Sequence, residues 1–243
     1  MFHVKHRRPE GRDEAEAIGN LVGKLLEDAF VNLGLRGSGP GFASKIGSFA
    51  TLLALWGRKT NLTADPSDPD EITFHVMDSL APVWIAGMHP ETALGRSLGK
   101  GRRMLDVGSG AGFPGLILAA ATGIDTVLLE SRRKRANFLD AAASAMDLPK
   151  VTIIQTRATP QNVPTGFDLV TVRAVGRPRE FFELAAAALK PGGVAMVYLS
   201  VGQPVDKAFA EASGLVELPF AQYVIARGKG KINRELGLWL KEN

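Results

Sequence analysis

The chain contains no cysteine. That absence excludes disulfides, thiolate metal sites, iron–sulfur clusters and cysteine nucleophiles together, including any enzyme that attacks a pyrimidine ring through a thiol. Histidine is scarce as well: the four in 243 residues are scattered, and no metal site is expected. Long apolar runs are missing too. The most apolar stretch, residues 115–122, is far too short to span a bilayer. The basic start, Met1-Phe2-His3-Val4-Lys5-His6-Arg7-Arg8, runs into Pro9-Glu10-Gly11-Arg12-Asp13-Glu14, which argues against a secretory signal. What is present is 45% apolar, with 29 basic and 25 acidic residues. That supports a sizeable core, disfavours disorder, and leaves a net charge of +4 that is compatible with an anionic partner without requiring one. A soluble cytoplasmic monomer is expected.

Two hydrophobic periods divide the chain near residues 95–103. Before that point the spacing is helical: Ile18, Leu21, Val22, Leu25, Leu26, Ala29 and Phe30 form one stripe, and Phe42, Ile46, Phe49, Leu52, Leu53 and Trp56 a second. Gly34 and the glycine-rich residues 37–41 separate them. A third helix is predicted from Asp70 to about Met88, its start marked by Asp68, Asp70 and Glu71. After the break, short β-branched runs at 104–107, 126–129, 151–154, 167–172 and 194–199 alternate with helical segments near 113–122, 132–147 and 179–189. The tail supplies strands at 215–218 and 223–226. The pattern predicts an α/β, Rossmann-like, doubly wound sheet of seven mostly parallel strands, residues 101–243, behind a helical extension, residues 1–100.

The strongest local signal is Asp106-Val107-Gly108-Ser109-Gly110-Ala111-Gly112-Phe113-Pro114-Gly115, which joins a predicted strand to a predicted helix. Glycines there let the backbone turn sharply and approach a ligand closely. Glu130 ends the next strand, where a carboxylate can accept the two hydroxyls of a ribose. The unit suits an adenosine-type nucleotide. Residues 110–115 also fit the dinucleotide fingerprint, and an unliganded structural turn is the bland alternative. Asp106 favours another ligand: a carboxylate two residues ahead of Gly108 would repel a pyrophosphate but help to hold the sulfonium and ammonium of S-adenosylmethionine. This is the pattern of a class I S-adenosylmethionine-dependent methyltransferase.

The acceptor is narrowed by what is missing. The fourth strand ends Val172-Arg173-Ala174-Val175, without the tetrapeptide that grips an exocyclic amine, and no cysteine can open the covalent route to a pyrimidine carbon. An acceptor that is already nucleophilic, such as guanine N7, needs no base, and positioning alone can catalyse its methylation.

Four ordered motifs resemble the RsmG (GidB) family: Trp56-Gly57-Arg58-Lys59-Thr60-Asn61-Leu62-Thr63 with His75-Val76-Met77-Asp78-Ser79-Leu80, the glycine loop with its Pro114-Gly115, Glu130-Ser131-Arg132-Arg133-Lys134-Arg135 with Phe138-Leu139, and Arg173-Ala174. The resemblance spans roughly residues 45–200. It implies methyl transfer to N7 of a guanosine near the decoding site of 16S rRNA, on naked rRNA or the 30S particle. It also implies cofactor contacts at Gly108, Phe113, Ala158, Thr159 and Arg173, to which the chemistry adds Asp106, Gly110 and Glu130. Main-chain groups around Ala158 can offer a donor and an acceptor to an adenine edge. Two departures stand out: Thr159 replaces an acid, and Leu199-Ser200-Val201-Gly202-Gln203 lacks the lysine that often follows the fifth strand.

Arg132, Arg133, Lys134 and Arg135 open a helix, a poor place for cations, so RNA phosphates are their expected partners. Arg58-Lys59 and Arg102-Arg103 read as ordinary solvated surface, and the basic tail (Arg227, Lys229, Lys231, Arg234, Lys241) reads equally well as an RNA contact or an exposed end. Asn61 is a candidate beside the target base, with helix capping as its structural alternative. An i,i+3 hydrogen bond would suffice for His75 and Asp78. A nicotinamide-dependent oxidoreductase and a noncatalytic ribosome-assembly factor on the same fold are the competing functions.

Overall fold

The computed structural model describes residues 11–32, 41–173, 178–228 and 230–242. Residues 1–10, the linker 33–40, Ala174, Val175 and Lys229, all used in the sequence reading, lie outside that set, as does the side chain of Arg58. Four helices come first: α1 (Arg12–Asn32), α2 (Phe42–Thr60), α3 (Pro69–Met88) and α4 (Ala93–Ser97). They are followed by β1 (Arg103–Val107), α5 (Gly115–Thr122), β2 (Asp125–Glu130), α6 (Arg133–Ala145), β3 (Val151–Gln155), β4 (Phe167–Arg173), α7 (Pro178–Ala188), β5 (Leu189–Ser200), α8 (Lys207–Ala212), β6 (Leu215–Glu217), β7 (Ala221–Arg227) and β8 (Gly230–Lys241).

Local chemistry sets several of these boundaries. Asp68 caps α3, its carboxylate accepting from the N–H groups of Asp70 and Glu71, and Pro69 occupies the first turn, where its missing N–H costs nothing. Asn61 closes α2 in the left-handed region at φ 50°. The N-terminus of α6 has neither a side-chain cap nor an acid in its first turn. At its other end Lys45 reaches over from α2 to donate to the carbonyls of Met146 and Asp147 at 2.6 and 2.7 Å.

The sheet order is β3-β2-β1-β4-β5-β8-β6, with β7 paired to β8 beyond this path. The first five strands are parallel and β8 runs antiparallel to β5. The class expected from the sequence is correct, but among the described residues the sheet has eight strands, not seven. The missed strand is β8, in the tail otherwise taken as an exposed end. Residues 234–240 of β8 hydrogen-bond along β5, while β7 and β6 share its other edge in succession. Its Leu236, Leu238 and Leu240 alternate, and Trp239 between them is fully buried against Phe182 and Phe220.

Chain order reverses between β1 and β4, and at such a switch point the crevice beyond the strands' carboxyl ends is where α/β sheets take ligands. One face of the sheet carries α5 and α6, which share a core with α1, α2 and α3 through Phe49, Leu53, Leu80, Phe113, Leu116 and Phe138. On the opposite face Phe181, Phe182 and Leu184 of α7 pack on the sheet with Trp239.

Candidate active site

The segment from Asp106 to Gly115 leaves β1 as the glycines predict. Gly108 and Ser109 donate to the carbonyl of Leu129 at 2.8 and 3.1 Å, tying the turn to β2. Gly108 has φ +69°, and nothing lies within 4 Å of where its Cβ would stand, so the position combines a left-handed backbone with open space for a ligand. Gly115 is needed for the opposite reason: a Cβ there would sit 2.6 Å from Asp106 Oδ2, the oxygen that accepts the Gly115 N–H at 3.2 Å.

Asp106 is 1% exposed. Its Oδ1 is buried without a hydrogen-bond partner, and burial raises its pKa to about 7. An orphaned carboxylate oxygen of this kind is costly, and it is chemically matched to a cation. Glu130, 4% exposed at the end of β2, is instead bonded on both oxygens: Oε2 accepts from Gly110 N–H at 3.0 Å and Oε1 from Arg132 N–H at 2.8 Å. It props up the glycine loop and supplies an acceptor at the uncapped start of α6.

A cleft of about 520 Å³ opens over the switch point. Gly108, Ala158, Thr159 and Arg173 line it, with Ser131 and Phe181. The volume is in the range of small-molecule sites. Asp106, Gly110, Phe113 and Glu130, also expected at the cofactor, are not among the residues that line it. The N–H of Thr159 is already donated to Asn162 Oδ1 at 2.8 Å. The ring of Phe113 packs edge-on against Phe49 at 5.2 Å and against His75 at 5.2 Å, with the Arg173 guanidinium 5.8 Å above it.

His75 and Asp78 do not bond to each other. Both converge from α3 on Arg173 of β4: Arg173 Nη2 lies 2.7 Å from His75 Nδ1 and 3.1 Å from Asp78 Oδ2. Asp78, with no exposed surface, also receives Arg234 at 3.2 and 3.3 Å and the Tyr223 hydroxyl at 2.9 Å, both from the β7–β8 hairpin. Burial first, and the neighbouring Arg173 second, lower the His75 pKa to about 3. His75 is thus a neutral acceptor for a guanidinium.

The basic run splits in two. Arg132, Arg133 and Lys134 are exposed beside the glycine loop, whereas Arg135 turns inward to donate to the Asn61 carbonyl at 2.5 Å. Sequence reasoning missed Tyr223 and Arg234 as members of this neighbourhood. Their signal was the β-period of the tail, which places Arg234 in phase with Leu236.

The sequence model of the family described as GidB, rRNA small subunit methyltransferase G, matches residues 43–211. The chain belongs to this family. A ribosomal RNA small subunit methyltransferase G from Coxiella burnetii (strain Dugway 5J108-111) is 34% identical over 172 residues, 70% of this chain and 78% of that protein. One from Sorangium cellulosum is 34% identical over 196 residues, 78% and 77% of the two chains. Among solved structures, a precorrin-6y C5,15-methyltransferase from Geobacter metallireducens superposes with a TM-score of 0.50 at 16% identity, covering 65% of this chain and 88% of its own. A mutant of MtNAS in complex with S-adenosylmethionine gives 0.52 at 17% identity, covering 91% and 78%. These likenesses bear on the fold: the sheet is that of class I methyltransferases. The GidB match begins at residue 43 inside α2 and ends in α8, so β8 with Arg234 lies outside it.

Among the described residues no group of three His, Asp or Glu could hold a metal ion, and no helix is long and apolar enough to cross a membrane.

Proposed function

We propose that the protein transfers a methyl group from S-adenosylmethionine to N7 of a guanosine in 16S rRNA, near the decoding site of the small subunit. The observation that carries the cofactor half of this reading is Asp106: a wholly buried carboxylate with one bare oxygen, in β1 at the start of the glycine loop. It fits a cationic ligand and opposes a pyrophosphate, which disfavours the nicotinamide alternative.

On this reading Asp106 offsets the positive charge of the cofactor. Gly108 lets the cofactor approach the backbone, and Glu130 holds the loop while keeping lone pairs for a ribose hydroxyl. Ala158 and Thr159 wall the adenine end. With the Thr159 N–H already spent on Asn162, the edge contact falls to the main chain around Ala158. Phe113 backs Arg173 from below. When bound, S-adenosylmethionine would supply a methyl carried on a sulfonium, which the N7 lone pair could take as the C–S bond breaks, a thioether being left and the positive charge passing to the base. No proton has to be removed before the bond forms. The site accordingly needs no general base, and His75, held neutral and bonded to Arg173, is not offered as one.

Arg132, Arg133 and Lys134 present an exposed cationic face beside the cleft for RNA phosphates. Asn61 is tied to this run through Arg135. The protein acts as a monomer in the cytoplasm, on the 30S particle or its rRNA. The test is incubation of the purified protein with methyl-labelled S-adenosylmethionine and 30S subunits lacking the modification, followed by cleavage mapping of 7-methylguanosine. One labelled guanosine in 16S rRNA is expected; label on protein or small molecules and none on rRNA would overturn the reading.

A further inference from the structure

Next to the main cleft, and sharing Arg173 and Phe181 with it, lies a second cavity of about 190 Å³. Leu199, Pro204 and Val205 complete its apolar wall, and Arg234 lines it together with Arg173. Resting on the reading of the larger cleft as the cofactor site, we propose that this cavity receives the target guanine of the RNA, with Arg173 and Arg234 holding its O6.

Three observations support the assignment. The first is adjacency: a base in this cavity would border whatever fills the cleft, across the two residues the cavities share. The second is shape and surface. Phe181 with aliphatic and proline side chains offers the kind of wall on which a splayed-out base stacks, as single-stranded RNA sites do.

The third is donor chemistry. A guanidinium donates and never accepts. Arg173 spends Nη2 on His75 and Asp78, and its Nη1 is buried without a partner. Arg234 spends Nε and Nη2 on Asp78 and keeps only a long 3.4 Å contact from Nη1 to Ser200 Oγ. The acceptor nearest to hand, Gln203 Oε1, is taken by the Ser200 N–H. Spare donors with little acceptor capacity call for a ligand edge made of acceptors. Among the major-groove edges of the bases, that of guanine, O6 with N7, is the one made of two acceptors. N7 must keep its lone pair free for the incoming methyl, so O6 is the atom the guanidiniums hold. Adenine places a donor, its amino group, at the same position and is rejected.

The C-terminal hairpin gains a purpose from this. Through Asp78, the Arg234 and Tyr223 side chains fix the Arg173 guanidinium between the two cavities. Arg234 is a binding residue for the acceptor, and Tyr223 is a positioning residue acting through Asp78.

The experiment compares wild type with Val205→Phe, which fills the cavity, and Arg234→Gln, which removes a donor without closing it. Each protein is measured for S-adenosylmethionine affinity by calorimetry, for thermal unfolding, and for single-turnover methyl transfer to 30S subunits lacking the modification. Subunits carrying adenosine at the target position serve as a second acceptor. Val205→Phe is expected to bind the cofactor within about twofold of wild type and to melt near it, whereas Arg234→Gln, which also takes a partner from buried Asp78, is expected to melt lower and is read by its preference between the two acceptors. Transfer to guanosine should fall roughly 10- to 100-fold, the scale of one good base contact, and Arg234→Gln should narrow the preference for guanosine over adenosine. Full-rate transfer by Val205→Phe, or an unchanged preference in Arg234→Gln, would overturn the assignment while leaving the parent function intact. Failure of wild type to bind S-adenosylmethionine or to methylate the 30S particle overturns the parent function and this inference with it.

Discussion

Two buried aspartates in the neighbourhood of Arg173 are treated in opposite ways. Asp78, on α3, is surrounded: two guanidiniums and a tyrosine hydroxyl, from β4 and the β7–β8 hairpin, satisfy it completely. Asp106, on β1, is as deeply buried, but its Oδ2 accepts only the Gly115 N–H and its Oδ1 has no partner, because the adjacent Ser109 hydroxyl donates to the Asp106 main-chain carbonyl at 3.0 Å. The first arrangement holds the helical lead-in, the sheet and the tail together. The second stores an unmet electrostatic demand beside an open cleft. Buried polar groups are ordinarily satisfied, so the unsatisfied one marks the ligand site and the satisfied one marks the frame.

Removing each carboxylate should therefore have contrasting effects. Asp78→Ala leaves two largely buried guanidiniums, 15% and 16% exposed, without a counter-charge and is expected to cost about 2–4 kcal/mol, a fall in Tm of roughly 4–16 °C. A loss below about 1 kcal/mol in denaturant unfolding would remove Asp78 from the frame. Asp106→Asn should do the reverse. Its raised pKa means that between about pH 4 and pH 7 the unfolded chain ionises while the folded protein stays protonated. Stability contributed by this group declines with rising pH across that window and is lowest above it. At pH 8 the Asn variant is expected to be more stable by on the order of 2–4 kcal/mol, yet to bind S-adenosylmethionine roughly 100-fold more weakly, the scale of one hydrogen bond to a charged group. Unchanged affinity would contradict the role given to the bare oxygen.

The basic run sharpens the same distinction at smaller magnitude. Replacing Arg132, Arg133 and Lys134 by Gln should flatten the salt dependence of 30S binding, by about 0.7 in log–log slope for each RNA phosphate no longer neutralised, with stability unchanged. Arg135→Gln should leave the slope alone and cost about 1–2 kcal/mol, because its partner is the Asn61 carbonyl. The smallest effect is a null one: His75 should show no titration by NMR between pH 5 and pH 8, since burial and Arg173 keep it neutral down to about pH 3. A midpoint near 6.5 would mean that the Arg173 contact does not form.

The parallel half of the molecule was legible because its information is local. Asp106 through Gly115 sits in one stretch, its glycines encode backbone angles directly, and Glu130 follows at the end of the next strand. The frame was not legible, because Asp78 meets partners 95 and 156 residues away and no helical spacing rule reaches that far. His75 and Asp78 invited a local i,i+3 explanation only because their real partner lies on β4. The tail hid a strand behind Lys231, Asn233, Arg234 and Glu235, although Leu236, Leu238 and Leu240 alternate as a sheet requires. The basic run showed the limit of composition: four similar residues in a row, of which one faces inward.

The role of Asp106 is tested most directly by the pH dependence of S-adenosylmethionine binding, measured by calorimetry at pH 6 and pH 8 in buffers of different ionisation enthalpy. If the bare carboxylate of Asp106 receives the cofactor's positive charge, the free protein holds a proton there below about pH 7 and must release it on binding. Affinity should then rise from pH 6 to pH 8, with a fractional proton released at pH 6, and both effects should vanish in Asp106→Asn. An affinity independent of pH across this range, with no proton released by wild type, would contradict the claim that Asp106 is held bare for a cation.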